Sequence, residues 1–202
     1  MGNIHMQRKR VVRFLVLAAV LEGSVVAQKP GRNQQPEQTN FSSDAGSAQE
    51  FTRKPVEVSM GALQVLRDTL SRGLLNCIKG HGATPDQVPA SWFVGSEIHL
   101  DGPEEMDLIV RPNVFKLGTR ELPEAANCLL SANVIPFWVL RNIGGRYSLL
   151  LATYALELDV LNSRTNFYRD IQTVSSTAVT RTTLLYKMDV AQYQLAEKKT
   201  EP

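Results

Sequence analysis

The last third of the chain, residues 135–195, carries the hydrophobic pattern of an antiparallel β-meander. Residues 135–141 are apolar at nearly every position, which is typical of a strand that is covered on both faces. Residues 156–160 instead alternate apolar with acidic side chains, which is the two-residue period of a half-buried strand. The turns between strands are short, with paired glycines in 142–146 and polar residues in 162–166, so each strand should lie antiparallel to the next.

Residues 56–79 have the pattern of one amphipathic helix. Ser59 is suited to cap its N-terminus and Gly80 to follow its C-terminus, with Lys79 in the last turn. We expect the apolar stripe of this helix to pack on the sheet. The stripe consists of Leu63, Leu66, Leu70, Leu74 and Cys77.

The middle of the chain predicts a hairpin, because strand-like residues 91–100 and 106–111 flank a tight acidic turn at 101–105. Residues 123–130 favour a short helix, since Pro123 would occupy its first position, where the missing N–H costs nothing. Together the pattern predicts an α+β domain, in which the N-terminal amphipathic helix packs on a mostly antiparallel β-meander of about 6–8 strands.

The N-terminus has the pattern of a secretory signal peptide, with a basic segment before the apolar residues 14–21 and small residues up to Ala27. The alternative is a membrane anchor, but the apolar run is much shorter than the roughly 20 residues that a spanning helix needs. We therefore expect cleavage near Ala27 and a periplasmic or extracellular protein. Residues 28–54, which are rich in polar residues, glycine and proline, should form a disordered linker before one domain at 55–202.

The formal net charge of +2 depends on the predicted signal peptide. Removing residues 1–27 takes away four basic residues and one acidic residue, so that 18 basic and 19 acidic residues remain. A chain so close to neutrality offers no electrostatic reason to bind nucleic acid or an anionic membrane. We expect neither of these partners and no stable membrane insertion after cleavage, and the pattern makes no prediction of oligomeric state.

Three runs of residues resemble a family of small secreted bacterial proteins. The runs are ASWFVGSEIHLDGPEEMDLIV at 90–110, ANVIPFWVLR at 132–141 and NSRTNFYRDI at 162–171. The resemblance implies secretion and a single α+β domain. It implies no established activity, so each candidate residue must be judged by its own chemistry.

The acidic turn at 101–105 also resembles, faintly, the calcium loop of integrin-type repeats. A histidine and a proline occupy two positions where that loop has carboxylates, although calcium takes six to eight oxygen ligands. Asp101, Glu105 and Asp107 are the candidate metal ligands, with Glu104 as a further carboxylate. The alternative, which we favour, is a polar turn in which Asp107 makes hairpin hydrogen bonds, so that no cofactor is expected.

Cys77 and Cys128 are predicted to form a disulfide, because an exported chain matures under oxidising conditions. Closing a loop of about 50 residues would stabilise the fold by roughly 4 kcal/mol in the chain-entropy model. The alternative is a pair of buried free thiols, which their apolar neighbours would suit. A cysteine nucleophile is not expected, because no motif ties either cysteine to a histidine.

Residues 164–170 form the most polar turn of the meander, and they combine arginine with tyrosine, as binding surfaces do. The alternative is structural, with the second arginine of this turn paired to the adjacent aspartate or to a cross-strand acid such as Asp159. The candidate binding residues are Arg164, Asn166, Tyr168, Arg169 and Asp170.

The chain lacks the short motifs of common catalytic sites: a Gly-rich phosphate loop, a Gly-x-Ser-x-Gly elbow, a Cys-x-x-Cys pair and a His-Glu-x-x-His pair. We therefore expect a non-enzymatic binding or interaction module that recognises an envelope protein or a glycan. The competing hypothesis is a hydrolase of cell-envelope polymers that uses acids near the 99–107 hairpin. A purely structural envelope protein is a third alternative.

The disulfide prediction is checked by alkylation. Denatured protein that has not been reduced should take up no iodoacetamide at Cys77 or Cys128, and both residues should be labelled after reduction. Peptide mass spectrometry distinguishes the two states. Labelling of both thiols in the unreduced protein would show that the cysteines are free.

Overall fold

The computed structural model describes residues 39–42, 55–117, 123–131 and 133–202. The predicted signal peptide at 1–27 and most of the predicted linker lie outside the described residues. The described part is rich in β-structure, and all paired strands are antiparallel, as the meander pattern predicted. No helix within these ranges is long and apolar enough to cross a membrane.

The first sheet has four strands in the order β2–β3–β4–β5, so the hairpin predicted from the middle of the chain joins the start of the meander. Trp138 of the third strand in this order pairs with Val110 of its neighbour. The strands are β2 (Phe93–Ile98), β3 (Asp107–Pro112), β4 (Ile135–Ile143) and β5 (Arg146–Ala155).

The second sheet has five strands in the order β1–β6–β7–β8–β9. It contains the rest of the meander and one strand from the segment that the sequence predicted as linker. The strands are β1 (Thr39–Ser42), β6 (Glu157–Thr165), β7 (Tyr168–Ser176), β8 (Arg181–Met188) and β9 (Tyr193–Glu201). The predicted single meander is therefore divided between two sheets at Leu156, where the chain leaves the first sheet and enters the second.

The central strands β3 and β4 are apolar on both faces because each face meets a different layer. Ile109 and Phe137 belong to a core that includes residues of the second sheet, such as Ile171. Val110 and Trp138 point into the other core, which is shared with the helices. The continuous apolar run at 135–141 is thus a strand covered on both faces, as predicted.

Two short helices occupy the segment that was predicted as one helix. They are α1 (Met60–Asp68), which Ser59 caps as predicted, and α2 (Arg72–Gly80), which Ser71 caps by accepting a hydrogen bond from the Leu74 N–H at 3.3 Å. The break arises because Thr69 donates its hydroxyl to the backbone of α1 and Ser71 restarts the hydrogen-bond pattern. Both helices still bury an apolar stripe against the first sheet, through Leu63, Leu66, Leu74 and Ile78.

The segment before β4 contains a single-turn helix, α3 (Val114–Leu117), and a 3-10 helix at Glu124–Leu129. The 3-10 helix lies where a short helix was predicted, with Pro123 immediately before it. Cys77 of α2 and Cys128 of the 3-10 helix form the predicted disulfide, with their Cα atoms 5.8 Å apart. The disulfide joins two elements that also pack against each other, and Ile78 and Leu129, which flank the two cysteines, are buried in the same core.

Asp159 on β6 is an acid in a poorly solvated position, since it is only 9% exposed. Burial and, to a smaller extent, the nearby Glu157 raise the pKa of Asp159 to about 6 against the opposing effect of Arg181. An acid whose folded-state pKa exceeds its unfolded value of about 4 binds its proton more tightly in the folded state. Ionisation of Asp159 therefore destabilises the folded state as the pH rises from its unfolded pKa of about 4 through its folded pKa of about 6.

We expect Asp159→Asn to increase the free energy of unfolding at about pH 8 and to change it little at about pH 4, because the neutral amide removes a charge that is buried only at the higher pH. Urea denaturation at both pH values measures the difference. The exposed Asp189→Asn is the matched control. An equal effect of Asp159→Asn at both pH values would contradict the assignment.

Candidate functional site

Three chain reversals meet at one end of the molecule and enclose a cleft of about 570 Å³, which we call the turn cleft. The loop between β2 and β3 contributes residues 101–105, and the β4–β5 hairpin contributes 141–143. The β6–β7 turn contributes 166–168 from the second sheet. The acidic turn and the polar turn that the sequence analysis treated as separate candidates thus face the same cavity.

Arg141 lies between the acidic loop and the second sheet. Its Nη2 donates to Asp101 Oδ2 at 3.0 Å, and its guanidinium carbon lies 5.4 Å from the centre of the Tyr168 ring. The ion pair and the cation–π contact hold one side chain from each of the three reversals in a fixed arrangement.

Burial, together with the neighbouring Asp101 side chain, raises the pKa of Tyr168 to about 12. The phenol therefore stays protonated at physiological pH, where its hydroxyl can donate to the Asp101 carboxylate.

The other two predicted metal ligands, Glu105 and Asp107, accept hydrogen bonds from backbone N–H groups around the cleft. Both carboxylate oxygens of Glu105 accept from the Gly144 N–H, at 2.9 and 3.0 Å. Asp107 is buried and accepts from the Leu100 N–H at 3.2 Å and from the Asn142 N–H at 3.0 Å. Burial raises the pKa of Asp107, while these two N–H groups lower it in part.

The three candidate metal ligands do not converge on one point. Among the residues that the structure describes, none of them belongs to a group of three ligand atoms lying within 4.8 Å of one another. Each carboxylate is instead directed at its own structural partner. The absence of a cofactor stays a prediction, and the hydrogen bonds of Asp107 match the polar turn that the sequence analysis favoured over a calcium site.

Two of the predicted binding residues, Arg164 and Arg169, direct their guanidinium groups at the backbone. Arg164 Nη1 donates to the carbonyl oxygens of Phe167 at 2.6 Å and Leu100 at 3.1 Å. It therefore ties the β6–β7 turn to the β2–β3 hairpin, and neither arginine lines the cleft.

Arg169 fills a gap in the ladder between β6 and β7, whose register shifts between Val160 and Arg164. Its guanidinium donates to the Leu161 carbonyl at 2.8 Å and to the Val160 carbonyl at 3.0 Å. An irregularity of this kind leaves backbone groups without ladder partners, and the charged side chain satisfies them.

The remaining predicted binding residues divide between the cleft and the interior. Asn166 and Tyr168 line the cleft, and Asn166 Nδ2 donates to the Met188 carbonyl at 2.9 Å. Asp170 is buried behind the turn. Next to it, the Tyr193 hydroxyl donates to the Arg169 carbonyl at 2.6 Å, and burial raises the pKa of Tyr193, with further contributions from Asp107 and Asp170.

The β6–β7 turn presents Phe167 to solvent. Asn166 and Phe167 have φ values of 50° and 72°, in the left-handed region that favours glycine and asparagine. The phenylalanine is 85% exposed, so its ring gains little from burial in return for the backbone strain. A strained and exposed aromatic residue at the mouth of a cavity points to a functional constraint.

The lining of the turn cleft carries net negative charge, since Asp101, Glu104 and Glu105 outnumber Arg141. Exposed apolar side chains stand beside this charge. Ile143 is 54% exposed at the tip of the β4–β5 hairpin, and Met106 follows the acidic loop.

Four residues that line the cleft, Arg141, Asn142, Ile143 and Phe167, are not among the predicted site residues. Arg141 and Asn142 follow an apolar strand and were counted as strand end and turn. A signal for Phe167 was present, because a large apolar residue occupies a two-residue turn where glycine is favoured.

The comparisons with known proteins give no match: no protein-family model, no curated protein and no solved structure matches the chain. The resemblance to small secreted bacterial proteins therefore stays a prediction. The function must be argued from the turn cleft itself.

We expect Phe167→Gly to increase the free energy of unfolding by about 1 kcal/mol, because glycine adopts a positive φ without a Cβ clash. Phe167→Ala, which removes the ring but keeps the clash, should change it by less than about 0.5 kcal/mol. Urea denaturation of the three proteins measures both effects. A destabilised Phe167→Gly protein would show that the ring contributes to the fold.

Proposed function

We propose that the chain is a non-enzymatic binding module of the cell envelope, and that the turn cleft recognises an extended, positively charged segment of a partner protein. The observation that carries the proposal is the convergence of three reversals, which places exposed Phe167 and Ile143 beside a cluster of carboxylates. The following contacts support each part of it.

The exposed apolar side chains supply an anchor for the partner. Phe167 and Ile143 come from different sheets, yet both line the same cavity. Aromatic and large aliphatic residues next to a cavity are typical of the residues that dominate binding energy, whereas isolated apolar residues on a surface are common and carry no such meaning.

The charge of the cleft favours a cationic partner. Asp101 and Glu105 already interact with Arg141 and with the Gly144 N–H, and Glu104 adds an exposed carboxylate between them in the chain. A lysine or arginine of the partner would complement this charge and would accelerate association at low ionic strength.

Hydrogen bonds within the chain hold the floor of the cleft together. Asn142 Nδ2 donates to the Met106 carbonyl at 3.2 Å, and its Oδ1 accepts from the Gly145 N–H at 2.9 Å. Together with the contacts of Arg141, these bonds hold the two loops in one geometry. A preformed surface lowers the entropic cost of binding.

The same contacts favour binding over hydrolysis of envelope polymers. A catalytic acid or base must reach the substrate with its carboxyl group. Asp101 pairs with Arg141, Glu105 holds Gly144, and Asp107 is buried under two backbone N–H groups. His99 is also engaged, since its Nδ1 lies 3.1 Å from the Glu105 carbonyl oxygen.

The choice of variants follows from the contacts. Replacing Arg164 or Arg169 would release backbone carbonyls and disturb the turn, so a loss of binding in those variants would be ambiguous. Phe167→Gly removes the anchor while relieving backbone strain, and Glu104→Lys reverses an exposed charge. Both variants therefore test recognition of the partner in a chain whose fold is preserved.

We expect in-cell crosslinking of the tagged full chain, followed by affinity capture and mass spectrometry, to enrich one reproducible envelope protein. Phe167→Gly and Glu104→Lys should each reduce its recovery at least tenfold, which corresponds to losing about 1.4 kcal/mol of binding free energy. Val179→Ala, which truncates an exposed apolar residue of the β7–β8 turn, is the control and should retain recovery.

Recovery of the same partner by the wild-type chain and by all three variants would place the binding surface elsewhere. Recovery of no partner, together with activity on cell-wall polymers that Asp101→Asn abolishes, would support the hydrolase instead. Capture that weakens with rising salt for the wild-type chain would agree with recognition of a cationic segment.

A further inference from the structure

A second group of chemically reactive side chains lies outside the turn cleft, between α2 and the 3-10 helix. The potential ligand atoms of Cys77, His81 and Cys128 lie within 4.8 Å of one another. Among the described residues, these three side chains form a group of potential metal ligands that is close enough to share one ion. The disulfide between the two cysteines occupies the site in the oxidised chain.

Local structure brings this group together. Cys77 and His81 are four residues apart at the end of α2, and the His81 N–H donates to the Cys77 carbonyl at 3.2 Å as the cap of that helix. On the other element, Glu124 begins the 3-10 helix that carries Cys128. Glu124 Oε2 lies 3.6 Å from His81 Nδ1.

The group is accessible from solvent. The side chain of His81 is 41% exposed and that of Glu124 is 87% exposed. Neither cysteine is buried, although the flanking Ile78 and Leu129 are part of the core. A reductant and a metal ion can therefore reach the sulfur atoms while the core holds the two elements in place.

We propose that reduction of the Cys77–Cys128 disulfide converts this group into a Zn²⁺ site. The two thiolates and the His81 imidazole are the protein ligands, and water completes the tetrahedron. Glu124 is a positioning residue: its Oε2 lies 3.6 Å from His81 Nδ1, and a small approach would let it accept a hydrogen bond from Nδ1–H, which leaves Nε2 for the metal. A carboxylate behind a metal-binding histidine fixes its tautomer and orientation in many zinc sites.

The chemistry of the ligand set suits zinc. Two thiolates and an imidazole are soft and borderline ligands that suit Zn²⁺ and its probe Co²⁺, whereas Ca²⁺ and Mg²⁺ require oxygen ligands. Zn–S and Zn–N bonds of about 2.3 and 2.0 Å place tetrahedral ligand atoms about 3.5–3.8 Å apart. In the disulfide-bonded chain the three ligand atoms already lie within 4.8 Å of one another, so reduction would need to be followed only by small side-chain rotations.

The redox step balances as a thiol–disulfide exchange. An external dithiol transfers two electrons and two protons to the Cys77–Cys128 disulfide and is itself oxidised to a disulfide. Binding of Zn²⁺ to the resulting thiols then releases two protons. The oxidised chain has no thiolates, so the site exists only in the reduced protein.

The test titrates Co²⁺ into the full chain after anaerobic reduction, and separately into the oxidised chain. We expect one equivalent of Co²⁺ to produce thiolate-to-cobalt charge transfer and tetrahedral d–d absorption in the reduced chain, both displaced by Zn²⁺. The oxidised chain should show neither. Zn²⁺ should also raise the midpoint of thermal unfolding of the reduced chain, because metal binding stabilises the folded state.

Variants separate the roles. Glu124→Gln should weaken Co²⁺ binding about 10- to 100-fold, as loss of a residue that orients a ligand does. His81→Ala should weaken it further and change the d–d spectrum. The matched control His99→Ala removes a histidine of the β2–β3 hairpin and should bind Co²⁺ like the wild type.

Three results would overturn the proposal. The first is a reduced chain without a charge-transfer band, and the second is a band that His81→Ala leaves unchanged. The third is a reduced chain that unfolds and stays unfolded in the presence of Zn²⁺. The outcome does not depend on the turn cleft, so it is independent of the proposed binding function.

Discussion

The structure depends on one constraint: the middle strands of the first sheet must be covered on both faces. Phe137 and Val139 face one core, and Trp138 and Leu140 face the other. Leaving either face in water would forfeit about 25 cal/mol for every square ångström of apolar surface. The helices cover one face and the five-stranded sheet covers the other, which gives the molecule three layers.

The turn cleft is a consequence of this stacking. Because the two sheets share a core, reversals of both sheets reach the same end of the molecule, and hydrogen bonds join them there. The Arg169 N–H donates to the Leu100 carbonyl at 2.9 Å, and Arg164 reaches the same oxygen. The residues of the turn therefore have two roles: the arginines hydrogen-bond to the backbone, and Phe167 lines the cavity.

The helical layer carries the other reactive group, and the same core explains its geometry. Ile78 and Leu129 hold α2 against the 3-10 helix, so the cysteines of the two elements meet. His81 lies at the end of α2 and Glu124 at the start of the 3-10 helix, and both side chains are exposed to solvent. The proposed cleft function and the proposed redox-dependent metal site thus rest on different surfaces of one framework.

Local patterns were enough to predict many of the elements. Apolar runs and alternation identified the antiparallel strands, a serine located the start of α1, and the cysteine pair predicted the disulfide. These properties depend on a few neighbouring residues or on one covalent bond, so a single chain reveals them. The break between α1 and α2 was also visible in principle, since Thr69 and Ser71 compete locally for backbone hydrogen bonds.

The division into two sheets and the site itself depend on contacts between residues far apart in the chain. The register of β-strands does not show which sheet a strand will join at Leu156, because both choices satisfy the same alternation. The pairing of Arg141 with Asp101 spans 40 residues, and the meeting of His81 with Glu124 also requires distant elements to pack together. Composition indicated the acidic loop and the polar turn as candidates, but packing alone made Arg164, Arg169 and Asp107 part of the framework and left Phe167 and Glu104 exposed to solvent.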